Sequence, residues 1–170
     1  MNNLKLRIEQ SRKRDRAPGG QVHLAVISAH YARAILEGTK TIESRLTKTR
    51  RVPFGRVTRG ERVYFLARRA GLIVTAIVEQ VESYANLTAD RLRLLREEHG
   101  AGIGADEAYW EQRSSARYAT LVWLGEPEQA WYAPDDVHGR EKSYRSAWIV
   151  RPGGQCVYPG CCRESRRVSA

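Results

Sequence analysis

A chain of 170 residues has material for one domain with a single core. Its formal net charge of +10 is uneven: residues 1–20 hold six Lys/Arg against two acids, residues 38–69 hold ten against two, and the rest sums to −2. Such a concentrated positive field attracts polyanions, nucleic acid above all. Met1–Gly20 is polar and basic, which excludes a secretory signal there, and no apolar run is long enough to span a bilayer. The three cysteines, Cys156, Cys161 and Cys162, are odd in number and follow no signal, which argues against a disulfide framework. A cytoplasmic protein with no membrane partner is the expectation.

In chain order, residues 1–20 carry the run Ser11–Arg16 and end in Pro18-Gly19-Gly20, so they read as a flexible basic arm with a linker. The domain is expected over 21–151, and 152–170 reads as a basic, cysteine-containing, poorly ordered tail. Val22–Ile27 alternates apolar residues as a first strand does. A short helix follows, with Ser28 as its N-cap and Gly38 as a left-handed terminator. The next extended segment carries Lys40, Glu43 and Arg45. Strand alternation pairs Lys40 with Ile42 and Glu43 with Arg45, so only a kink after Gly38 would bring all three charges to one mouth.

Pro53 and Gly55 make Leu46–Gly55 a loop, and its Lys48, Arg50 and Arg51 lie beside that segment. Gly60 turns the chain into a strand at Arg62–Ala67. Arg68–Gly71 is a tight connection, and the β-branched stretch Leu72–Val81 is a long central strand antiparallel to its predecessor. A helix capped by Thr88 runs to His99 and ends at Gly100. Ala101–Gly104 is a loop, and Asp106–Arg113 is a second short helix whose Tyr109 and Trp110 read as core, with a base-stacking surface as the alternative. Arg117–Leu124 is apolar on both faces, hence interior. Pro127 and Pro134 bracket a loop containing Trp131 and Tyr132, and Ala147–Val150 is the last strand. The class is α+β: a mostly antiparallel barrel of about five or six strands with two to three packed helices.

Little in the chain competes as a reactive site. Cys156, Cys161 and Cys162 lack a second ligand pair for zinc, and nucleophile-elbow, phosphate-loop and dinucleotide fingerprints do not occur, so no metal and no cofactor is expected. That leaves Lys40, Glu43 and Arg45. The ammonium can meet a phosphate or a developing oxyanion, the carboxylate can take a proton from water or orient Lys40, and the planar guanidinium fits phosphate. Ser28, Tyr31, Ser114, Ser115 and Tyr118 are polar residues that can lie nearby. The plainer reading of Glu43 and Arg45 is an ion pair holding a strand edge.

Gly38, Lys40, Glu43 and Arg45 spell G-x-K-x-x-E-x-R, which resembles the signature of the ASCH family, a branch of the PUA-like β-barrels. The strand and short helix before it, and Gly60-Glu61-Arg62-Val63-Tyr64 after it, agree with that pattern over Val22 to Val150. The resemblance implies an RNA-binding module with a cleft beside the motif. The expected nucleic-acid contacts are Ser28, Tyr31, Lys40, Arg45, Lys48, Arg50, Arg51, Arg68 and Arg69, with RNA as the partner and DNA as the second choice.

The resemblance also implies two hydrolase readings, with Lys40 and Glu43 catalytic. In an N4-acetylcytidine amidohydrolase group the motif lysine falls on Lys40, but the threonine falls on Glu43 and a later glutamate only loosely on Glu97 or Glu98. In a ribonuclease group the lysine again falls on Lys40, with Tyr31 and Ser115 as positional counterparts of a tyrosine and a serine. A third reading is a modified-base reader or interaction module. The oligomeric state is left open.

Overall fold

The structure, a computed structural model, describes residues 21–130 and 147–152. Its elements are β1 (Gln21–Val26), α1 (Ala29–Leu36), β2 (Ile42–Thr47), β3 (Arg62–Ala67), a 3-10 turn (Arg68–Ala70), β4 (Leu72–Ala85), α2 (Ala89–Ile103), α3 (Glu107–Gln112), β5 (Tyr118–Ala130) and β6 (Trp148–Pro152). Six strands form one sheet in the order β2-β5-β4-β3-β1-β6. Every neighbouring pair is antiparallel except β1 and β3, which are parallel and joined by a crossover through α1 and β2. This is the expected α+β, mostly antiparallel architecture, with three helices among the described residues.

The sheet curls into a half-barrel. β2 and β6 are its two edges, yet the Arg45 guanidinium of β2 lies 5.2 Å from the Trp148 ring of β6. Edge strands with four strands between them meet only if the sheet bends toward the face that carries Arg45, which is therefore the concave one. On that face Ala32 and Ile35 of α1 pack with Ala25, Val63, Phe65, Val74, Val78, Val122 and Trp148, and Val57 from the β2–β3 loop joins them. The opposite face of β2, β5 and β4 is covered by α2 and α3, where Ile42, Leu46, Ala119 and Leu121 meet Leu92, Leu95, Ile103 and Trp110. The period-2 alternation of β2 thus assigns Ile42, Ser44 and Leu46 to the helices and leaves Glu43, Arg45 and Thr47 for the concave side.

Several boundaries differ from the expectations: β2 takes in Leu46 and Thr47, expected as loop, and the last strand runs over Trp148–Pro152 and not Ala147–Val150. The helix after Thr88 does not stop at Gly100. It continues to Ile103 and ends at Gly104 in the left-handed conformation (φ 61°). Gly102 serves close approach instead: a Cβ there would sit 2.9 Å from both Ile42 Cδ1 and Thr41 Oγ1. β5 does not end before Pro127 but passes through it. Gly125 pairs with Ile77 and Glu128 with Thr75, so β5 spends one extra residue there, with Glu126 at φ 48°. A proline fits such a bulge because its missing N–H interrupts no ladder bond. β4 runs beyond Val81 to Ala85, paired with β5 throughout its far half. The basic arm, the loop with Trp131, Tyr132 and Pro134, and the cysteine tail lie outside the described residues. Among the described residues no helix is long and apolar enough to cross a membrane, and no group of three or more His, Cys, Asp or Glu could hold a metal ion.

Candidate functional site

The site begins where α1 ends. Ser28 caps α1 by accepting the Tyr31 N–H, and Gly38 (φ 76°) turns the chain off its far end. The Lys40 N–H then folds back to Ala34 O (2.9 Å), and the Thr41 N–H reaches Gly102 O (2.9 Å). This double tie is the kink that the sequence left open. It drives the Lys40 side chain inward, where it is 4% exposed. Its ammonium donates to Ile42 O (2.9 Å) and to Ile103 O (2.6 Å), and lies 3.5 Å from a Glu43 carboxylate oxygen. Ile103 closes α2, so this carbonyl is one the helix itself cannot satisfy. Burial pulls the Lys40 pKa below the ordinary lysine value. Glu43 opposes that shift and Arg45 adds to it.

Glu43 in turn faces Arg45, whose Nε is 2.9 Å from Oε1. The N–H does not point along this contact, which makes it an ion pair and not an aligned hydrogen bond. Arg45 also lies 3.5 Å through Nη2 from Val26 O and stacks on Trp148. The three motif charges therefore do form one cluster, flanked by Tyr31, whose ring centroid is 5.0 Å from the Lys40 ammonium. Burial raises the Tyr31 pKa, reinforced by Asp106 and Glu43 and opposed by Arg113.

Beneath the cluster is a network that no sequence motif announced. His23 is fully buried on β1. Trp148 Nε1–H donates to its Nδ1 (3.2 Å), so Nε2 carries the hydrogen and donates to Glu61 Oε2 (2.9 Å). Burial lowers the His23 pKa, and the Glu61 bond offsets this only in part. Burial alone would raise the Glu61 carboxyl. The His23 bond and the amides of Thr58 and Gln21 outweigh it and hold the carboxyl below its ordinary value. A histidine in an otherwise apolar strand, and an acid directly after Gly60, were the available signals.

Ser44, between Glu43 and Arg45, hydrogen-bonds the Tyr109 hydroxyl (2.6 Å), which also contacts Ser44 O. Burial pushes the Tyr109 pKa up to about 12.

The other expected residues sit apart from this cluster. Ser28 is exposed, with its hydroxyl engaged as the cap. Ser115 is exposed between α3 and β5, and among the described residues no hydrogen bond joins it to Lys40. Glu97 and Glu98 lie exposed on α2. Lys48, Arg50 and Arg51 are exposed on the β2–β3 loop together with Arg56 and Arg59, and Arg69 is exposed in the turn after β3. Arg68 lies in that same turn.

The sequence matches no protein-family model and no curated protein. Among solved structures the fold is similar to the crystal structure of ASCH from Zymomonas mobilis, at 20% identity and a TM-score of 0.51, covering 64% of this chain and 69% of that one. Crystal structures of two single-residue variants of the same protein, one tyrosine-to-phenylalanine and one serine-to-alanine, match at the same identity and TM-score and cover 71% and 70% of their chains. Identity at that level carries the fold and leaves function to the residues. The chain has an ASCH-like fold of the PUA type.

Proposed function

We propose that this domain binds nucleic acid, RNA first, through the β2–β3 loop and the mouth beside Arg45. The carrying observation is the state of the cations on that loop. Lys48, Arg50, Arg51, Arg56 and Arg59 are exposed, and among the described residues none of them is paired with a carboxylate. On α2, by contrast, Arg93 faces Asp90 and Glu97, and Arg96 is bonded to Glu107, so that helix presents a self-neutralised surface. The loop is also held in shape: Pro53 and Val57 are buried, and the Thr58 N–H bonds Glu61 (2.7 Å). A cationic surface ordered before binding loses little further entropy when phosphates arrive.

In this reading Lys40 and Glu43 hold Arg45 in position, and Arg45, Tyr31 and Arg69 extend the contact area. A hydrolase would need Lys40 to exchange a proton with substrate. With its ammonium directed at Ile42 O, Ile103 O and Glu43, the geometry favours binding.

Salt titration tests the proposal. Neutralising roughly four to five phosphates on a single strand should give log K against log salt a slope of about −3. Replacing Lys48, Arg56 and Arg59 with Gln should flatten it toward about −1. An affinity independent of salt would overturn the reading.

A further inference from the structure

We infer that Phe54, Tyr118 and Arg50 form a base-stacking platform that makes single strands the preferred ligand of this surface; the inference rests on the nucleic-acid reading above. Phe54 sits at the apex of the β2–β3 loop, where its N–H bonds Arg51 O (3.0 Å) and the Arg56 N–H bonds Pro53 O (2.8 Å). Pro53 and Val57 are buried and anchor the loop to the core, but Phe54 between them stays half-exposed. Its ring meets that of Tyr118 edge to face, at 5.5 Å between centroids and 87°. The Arg50 guanidinium lies 4.9 Å from the Phe54 centroid. The result is a group of two half-buried rings, Phe54 on the loop and Tyr118 at the start of β5, beside the exposed Arg50 on a loop already rich in cations.

The strand register puts this group next to the mouth. Tyr118 pairs with Thr47, and two residues along β5 Thr120 pairs with Arg45. Both pairs point to the concave face, so Tyr118 lies about 7 Å along the strand from the row that carries Arg45. A chain crossing from the loop cations to Arg45 therefore passes the rings. Bases of a single strand are free to stack on aromatic faces and guanidinium planes, whatever their identity. Bases in a duplex are already stacked on each other and would offer this surface only phosphates.

The test compares anisotropy titrations of a single-stranded RNA and a duplex of equal length at one salt concentration. Phe54→Leu keeps an apolar side chain without the ring, and Phe54→Tyr keeps the ring. Wild type should prefer the single strand. Phe54→Leu should lose roughly tenfold in single-strand affinity while duplex affinity stays unchanged, and Phe54→Tyr should match wild type. Tyr118→Leu provides the same reading should Phe54→Leu melt early. Equal binding of both forms by wild type would overturn the platform. So would undiminished single-strand affinity in folded Phe54→Leu and Tyr118→Leu, and in either case a steep salt slope would leave the binding proposal standing. Absence of any nucleic-acid binding by wild type would overturn both.

Discussion

Lys40→Met removes the donors at the centre of the site while keeping much of the side-chain volume. Three partners lose the ammonium: Ile42 O at 2.9 Å, Ile103 O at 2.6 Å and Glu43 at 3.5 Å. Each buried carbonyl left without a donor costs about 1–3 kcal/mol. Glu43 keeps Arg45, so its loss is smaller than for a buried carboxylate stripped of every cation. Against these terms stands the release of an ammonium whose burial is itself unfavourable, as its lowered pKa records. The expected net is about 3 kcal/mol of destabilisation. For a domain of this size that corresponds to a melting point lower by roughly 10 °C. Thermal melts followed by circular dichroism at neutral pH measure it, and RNA affinity is then compared at a temperature where both proteins are folded. A variant that melts with wild type but has lost RNA binding would refute the argument, because the ammonium would then be serving the ligand and not the fold.

Two further outcomes follow from the same geometry. His23 has a lowered pKa, so below about pH 6.5 the unfolded chain binds a proton that the folded chain refuses; Glu61, also lowered, repeats the effect below about pH 4.5. Stability should therefore fall with acid in two stages. His23→Gln should abolish the first, as read by urea unfolding at about pH 8, 7, 6 and 5, and a wild type equally stable across that range would contradict the neutral-histidine network. Gly38→Val should cost about 1–2 kcal/mol from the backbone alone, since φ is 76° and a Cβ there would meet nothing within 4 Å. An unchanged urea midpoint would show that the turn relaxes without strain.

The sequence by itself determined what local rules control. Ser28 and Gly38 bound α1 because a hydroxyl cap and a positive φ are properties of single residues. β3 runs over Arg62–Ala67 as its apolar run after Gly60 demands, and the charge of residues 38–69 was countable from the sequence. Where a residue's role depended on a distant partner, local reading failed. Gly100 has the chemistry of a helix terminator, yet α2 runs past it, because helix contacts with Thr41 and Ile42 use Gly102 and the chain first turns left-handed at Gly104. Pro127 breaks a strand in isolation, but β4 accommodates it at a bulge.

Only the tertiary structure decided the site. Alternation placed Lys40 and Glu43 on opposite faces, and they meet because Ala34 O in the preceding helix accepts from the backbone N–H of Lys40 and Gly102 O, remote in sequence, accepts from that of Thr41. The same holds for His23 on β1, Glu61 just before β3 and Trp148 on β6, which become one network because β1 lies between β3 and β6 in the sheet. A strand pattern specifies which way a side chain points. The closure of the half-barrel, set by the packing of α1 on one face and α2 on the other, specifies what it meets.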